Sequence, residues 1–287
     1  MTIDTIAVIG TGTMGRGIVE TAASHGLAVH AAEIDTVQRE RAQAAIRKSV
    51  EKGIARGKLK ANDADEVLGR VRWHADVVEA AVEGQYVVEA IAEDEAAKLE
   101  LFRRLDGACP PETILASNTS SISITKLAAA TGRAERVVGM HFFNPVPIMQ
   151  PVEIVRGLAT SDETVEQTRQ LARRMGKEPF TVTDTPGFVV NRVLMPLINE
   201  AAFALQEGVA DAKTIDSLMK LGCNHPMGPL ELADFIGLDV CLSILRVLHG
   251  ELGDPKFRPC PLLSRMVDAG RLGRKSGRGF HDYNENG

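Results

Sequence analysis

The stretch HFFNPVPIMQPVE, residues 141 to 153, opens on a histidine and closes on a glutamate, with apolar residues, prolines and one asparagine between them. Imidazole changes charge closest to neutral pH of all side-chain types and is the commonest carrier of a proton in catalysis. A carboxylate on the other ring nitrogen selects the tautomer, aims the ring and stabilises the imidazolium that forms. His141 and Glu153 are therefore candidates for a general base and the group that orients it. The alternative is packing, with each group satisfied elsewhere.

A second constellation lies near the start. GTGTMG carries Gly10, Gly12 and Gly15, with Thr13 and Met14 between the last two glycines. It follows the β-branched run TIAVI and leads into the helix-like RGIVETAASHG. Between a strand and a helix, such glycines make the tight turn, admit a pyrophosphate to the backbone and let helix and strand pack closely. The helix N-terminus then presents N–H groups and a positive dipole end to phosphate. The next strand-like run, AVHAAE, ends at Glu33. An acid about 20 residues after the turn can take the adenosine ribose hydroxyls and disfavour a 2′-phosphate, so NAD is expected over NADP. Asp35 competes for that role.

Those residues need a scaffold. YVVEAI (86 to 91), TILASN (113 to 118) and RVVGMHFF (136 to 143) read as further buried strands, separated by helical segments near 95 to 107 and 122 to 131. Alternation of this kind predicts an α/β fold with a Rossmann-type, doubly wound, mostly parallel sheet, whose ligands sit beyond the carboxyl ends of the strands. Glu89, Glu93, the run Asn118 to Ser121 and His141 all fall at that rim. A further αβ unit, SDETVEQTRQLARRMGKEPFTVTD, precedes TPGFVVNR, after which apolar helical patterns take over. Pro186 and Gly187 break the pattern, so the expected domains are 1–186, nucleotide-binding, and 187–287, all-helical. A long helix is expected over residues 35 to 60, with a basic run of Arg47, Lys48, Lys52, Arg56, Lys58 and Lys60. That run reads either as a solvated face or as a surface for a phosphorylated ligand.

The bulk numbers narrow the class. With 33 basic and 38 acidic residues and a net charge of −5, no field for nucleic acid is expected. Cys109, Cys223, Cys241 and Cys260 are scattered, which suits free thiols in a reducing compartment. The amino terminus does not read as a secretion signal, and no apolar run approaches the ~18 residues of a membrane span, so a cytoplasmic protein without membrane or metal partners is expected.

Together, GTGTMGRGI, VVEAIAED, ASNTSSISIT, GMHFFNPVPIMQPVE, DTPGFVVNRVLMPLINEA, HPMGPLELADFIGLD and RLGRKSGRGFHDY resemble the 3-hydroxyacyl-CoA dehydrogenase family, and within it the short bacterial 3-hydroxybutyryl-CoA members. The resemblance implies NAD-linked interconversion of an L-3-hydroxyacyl-CoA and a 3-ketoacyl-CoA by a homodimer with a helical C-terminal domain for substrate and dimer contacts. It places the catalytic pair on His141 and Glu153. Ser120 and Asn191 fall on positions that bind and polarise the substrate oxygen, Ser120 also lying near the nicotinamide. Glu93, Lys98, Asn144 and Lys275 fall on cofactor contacts, and Ser49 and Arg56 on contacts to the CoA moiety. Two departures stand out. Glu33 occupies the place of the family's usual aspartate, and Met149, Gln150 and Pro151 replace the Met-Lys-Leu that many members carry before the glutamate. A relative acting on free hydroxy acids is the competing enzyme class, and a non-catalytic nucleotide-binding protein, as among the lens crystallins, the competing non-enzyme class.

Overall fold

The computed structural model describes residues 3–57 and 63–284. Lys58 and Lys60 of the basic run lie outside the described residues. Contacts divide the chain into two compact units, Met1–Thr185 and Pro186–Gly287.

Among the described residues, the first unit is built on eight strands: β1 (Thr5–Ile9), β2 (Ala28–Ala32), β3 (Val71–His74), β4 (Tyr86–Glu89), β5 (Ile114–Ser117), β6 (Val137–Phe142), β7 (Pro151–Arg156) and β8 (Glu178–Thr183). They form one sheet in the order β3-β2-β1-β4-β5-β6-β7-β8. Every neighbouring pair is parallel except β6 and β7. Its helices are α1 (Thr13–Ser24), α2 (Thr36–Ala55), α3 (Asp63–Gly69), α4 (Val77–Val82), α5 (Glu95–Ala108), α6 (Ile124–Ala129) and α7 (Asp162–Arg174). The central strands are buried on both faces, which is why β1 and β4 to β6 read as near-continuous apolar runs. This mostly parallel sheet is the one the sequence pattern predicts.

Two strands were not legible as such. β3 is a four-residue edge strand with a charged residue in it, and β7 opens on a proline and carries Glu153 and Arg156. The reversal at β7 follows from chain length. Residues 143–150 are too few for a parallel crossover, which needs about a dozen or more. The predicted long helix is also shorter than expected: α2 ends at Ala55, and Gly57 adopts φ +67°, which turns the chain away. Side-chain caps mark several of the other helix starts, with Asp35 accepting from Gln38 N, Asp94 from Ala97 N and Ser161 from Thr164 N.

The second unit is helical: α8 (Val190–Gln206), α9 (Ala212–Gly222), α10 (Pro229–Ile236), α11 (Leu238–Leu252) and α12 (Pro261–Asp268). Met195, Ile198, Leu230, Leu245, Leu248, Phe257 and Leu263 form its core. Two buried aspartates fasten its last segment. Asp234 accepts from Phe280 N, His281 N and the Tyr283 hydroxyl, and Asp216 accepts from His281 Nε2 while capping α10 through Leu230 N and Glu231 N. Among the described residues, no helix is long and apolar enough to cross a membrane.

Candidate active site

The antiparallel register sets His141 opposite Glu153 on adjacent strands. Opposed residues of such a pair project from the same face within side-chain reach. His141 Nδ1 lies 2.7 Å from Glu153 Oε2, and both residues are buried, at 7% and 4% exposure. A carboxylate can only accept, so Nδ1 carries the proton in this bond and Nε2 is the basic nitrogen. Phe143 tilts against the imidazole with ring centroids 4.8 Å apart. The strands are close here: a Cβ on Gly139 would come within 2.6 Å of Val155 Cβ. The 143–150 connection, which holds the exposed Asn144, is fixed by Lys177, whose ammonium donates to the carbonyls of Val146 and Met149. Burial lowers the pKa of that ammonium.

Ser120 lies in the turn between β5 and α6, a neighbouring part of the same rim. Asn118 Oδ1 accepts from Phe142 N at 3.0 Å and so ties this turn to the residue after His141. Glu93 Oε1 accepts from Thr119 Oγ1 (2.6 Å), Ser120 N (3.0 Å) and Ser121 Oγ (3.0 Å). Its other oxygen lies 2.8 Å from Lys98 Nζ. Burial alone would push the Glu93 carboxyl up, but the Lys98 charge and these donors outweigh it and hold the group below the usual range. The far end of the turn is held by Asp184, which accepts from Ser123 Oγ, Ile124 N and Thr125 N. Asp184 and Lys177 carried no functional signal in the sequence, and Asn118 only its place at the rim, since each acts through partners remote along the chain.

The glycine turn has the shape a pyrophosphate requires. Gly10 adopts φ +91°, and a Cβ on Gly15 would stand 1.9 Å from the Gly10 carbonyl oxygen, so turn and helix are packed to contact. A Cβ on Gly12, by contrast, would meet nothing within 4 Å. Gly12 is also the N-cap of α1 and supplies no side-chain cap. An open glycine at an uncapped helix start, with Thr13 and Met14 in the first turn, fits a bound phosphate. Of the two acids after β2, Asp35 is engaged in capping α2, whereas Glu33 Oε2 lies 3.1 Å from Thr11 N, against the glycine turn.

The remaining candidates are more dispersed. Ser49 lies on α2 and donates to Glu20 Oε1 at 2.7 Å; burial pushes the Glu20 carboxyl up. Arg47, Lys48, Lys52 and Arg56 are exposed on or just after the same helix. Asn191 is in the first turn of α8 in the second unit. Lys275, also in that unit, pairs with Asp239 at 2.7 Å, on the segment fastened by Asp216 and Asp234. No cluster of three or more His, Cys, Asp or Glu that could hold a metal is present among the described residues.

Comparison with known proteins decides the family. Residues 5–185 match the NAD-binding domain of 3-hydroxyacyl-CoA dehydrogenase, and residues 187–283 match its C-terminal domain. The chain belongs to the 3-hydroxyacyl-CoA dehydrogenase family. It is 53% identical to a probable 3-hydroxybutyryl-CoA dehydrogenase of Bacillus subtilis (strain 168), over 99% of each chain. The crystal structure of (S)-3-hydroxybutyryl-CoA dehydrogenase PaaH1 from Ralstonia eutropha superimposes with a TM-score of 0.95 at 47% identity, covering 99% of this chain and 100% of that one. A diketoreductase described as acting on dicarbonyl compounds is 30% identical, with a TM-score of 0.86, covering 99% of this chain and 100% of that one. The protein is an enzyme of the 3-hydroxyacyl-CoA dehydrogenase type with a domain for a nicotinamide cofactor.

The two glycines of the α1 start separate folding from binding. Gly12→Ala leaves the unfolding midpoint close to that of the parent, because the added methyl meets no protein atom. It raises the NADH dissociation constant about tenfold or more, about 1.4 kcal/mol. Gly15→Ala lowers the midpoint. Thermal unfolding and fluorescence titration with NADH measure the two effects separately.

Proposed function

We propose that the enzyme interconverts a short-chain L-3-hydroxyacyl-CoA, 3-hydroxybutyryl-CoA being the favoured case, and the matching 3-ketoacyl-CoA, with NAD as coenzyme. The observation that carries this reading is the buried 2.7 Å contact between His141 and Glu153, made in register across β6 and β7.

In the oxidative direction His141 Nε2 takes the proton of the substrate hydroxyl, while Glu153 holds Nδ1–H and stabilises the resulting imidazolium. A nicotinamide cofactor held there would supply the hydride acceptor for the carbinol carbon, and the hydride donor in the reverse reaction. In that reverse direction the His141 imidazolium protonates the oxygen. Ser120 and Asn191 are assigned as donors to the same oxygen, where charge develops in the transition state. Gly10, Gly12, Thr13, Met14 and Gly15 hold the pyrophosphate and Glu33 the adenosine ribose, with Glu93, Lys98, Asn144 and Lys275 as the further cofactor residues. The choice of NAD over NADP rests on Glu33, whose charge opposes a 2′-phosphate.

The CoA moiety is assigned to α2, through Ser49 and Arg56. The exposed cations there supply what a phosphorylated ligand requires and a free dicarbonyl acid does not. The second unit exposes Val193, Leu218 and Leu221. Apolar surface of that kind supports a homodimer, with this unit contributing to the dimer and to substrate binding.

His141→Asn lowers kcat for NADH-dependent reduction of acetoacetyl-CoA by a factor on the order of 10² to 10⁴ and leaves NADH affinity within error of the parent. Near-normal turnover would rule out His141 as the proton carrier. Glu33→Ala weakens NADH binding and narrows the preference over NADPH in paired titrations; unchanged selectivity would return the ribose contact to Asp35. Arg56→Glu raises KM for acetoacetyl-CoA more than KM for NADH. Equal effects on both, or activity with free acetoacetate matching that with the CoA ester, would remove the CoA surface from α2.

A further inference from the structure

Glu89 closes β4 with its side chain fully buried, and Lys98 on α5 is 1% exposed. Withdrawing two such charges from water costs several kcal/mol per ion unless each is paired and hydrogen-bonded. Both are. Lys98 Nζ lies 3.0 Å from Glu89 Oε1 and 2.8 Å from Glu93 Oε2. Glu89 Oε1 also accepts from Ile91 N at 2.8 Å, and Oε2 accepts from Ser117 Oγ at 2.6 Å. An ammonium so enclosed holds both carboxylates in place.

From Glu89 two separate routes lead to adjacent amides of one turn. Ser117 Oγ, while donating to Glu89, accepts from Thr119 N at 3.1 Å. Lys98 holds Glu93, and Glu93 receives Ser120 N, Thr119 Oγ1 and, at 3.4 Å, the Ser120 hydroxyl itself. The backbone of Thr119 and Ser120 is thus set from two sides by a single carboxylate that neither touches. The charge matters as well as the shape. A neutral group at 89 leaves Lys98 with Glu93 alone, the more exposed of the two carboxylates at 39% of its side chain. A shift of Lys98 is carried through Glu93, already in contact with it, to the turn that Glu93 holds.

We propose that Glu89 is a positioning residue for the reaction: through Ser117 on one side and Lys98 and Glu93 on the other, it sets the turn that aims the Ser120 hydroxyl at the substrate oxygen. This rests on the assignment of Ser120 as a substrate donor.

A double-mutant cycle tests it. Glu89→Gln keeps the volume and an acceptor but removes the charge. In the otherwise intact enzyme it lowers kcat for acetoacetyl-CoA reduction about tenfold, and in a Ser120→Ala background it changes kcat by less than about twofold, because the group it positions is gone. Unfolding midpoints, measured on all four proteins, report any purely structural cost separately. Equal factors in the two backgrounds, or no loss in the intact enzyme, overturn the inference while leaving the role of Ser120 in place. Unchanged kcat in Ser120→Ala overturns the Ser120 assignment, and the inference with it. If Glu89→Gln does not fold, Ser117→Ala removes one donor from the same carboxylate and enters the same cycle with the same expected non-additivity.

Discussion

The site depends on one pairing, the antiparallel ladder between β6 and β7. Side chains alternate between faces along a strand, so a one-residue slip would send Glu153 to the side of the sheet opposite His141. The register is held by more than ladder hydrogen bonds. Gly139 lies against Val155 with no room for a methyl, and Lys177 draws in the carbonyls of the connecting segment. Val146 of that segment packs on Gly17 of α1, where an added Cβ would approach to 2.9 Å. The imidazole and carboxylate are consequently buried as a pair, in a medium where their attraction is strong and where losing either would leave the other uncompensated.

Carboxylates do most of the remaining positioning in the first unit. Glu93 and Asp184 grip the turn between β5 and α6 at its two ends, and Asp35 and Asp94 cap α2 and α5, the helices that carry Ser49 and Lys98. The physical reason is common to all. Turns and helix starts expose backbone N–H groups, and an ionised carboxylate accepts from several at once with bonds stronger than neutral ones. The start of α1 has no side-chain cap at all. It ends in an open glycine rather than an acid, which is the arrangement a phosphate can occupy. In the second unit the same device serves the chain terminus, with Asp216 and Asp234 fastening the segment that bears Lys275.

Much of this was legible in the residues. The glycine turn could be read because strand, turn and helix are contiguous and Gly15 packs on Gly10 itself, although Gly10 is also confined by Ala90 and Ile91 after β4, which no local pattern records. The central strands could be read because burial on both faces writes an uninterrupted apolar run. β3 and β7 could not, since an edge strand and a proline-led strand carrying a glutamate lack that pattern. His141 and Glu153 were recognisable as types suited to proton transfer, though their spacing alone did not join them.

By itself, then, the sequence determined the residue chemistry, the alternation of strands and helices, and the local turn at which a nucleotide can sit, because those follow from neighbours along the chain. The tertiary structure alone decided the ring-to-carboxylate distance, the contact of Glu33 with the glycine turn while Asp35 caps α2, and the burial of Glu89 with Lys98. Each of these joins groups from separate elements, and no local pattern records which face of a strand will meet which turn of a helix. Long-range hydrogen bonds are satisfied only when the sheet has assembled, so their partners become known only there.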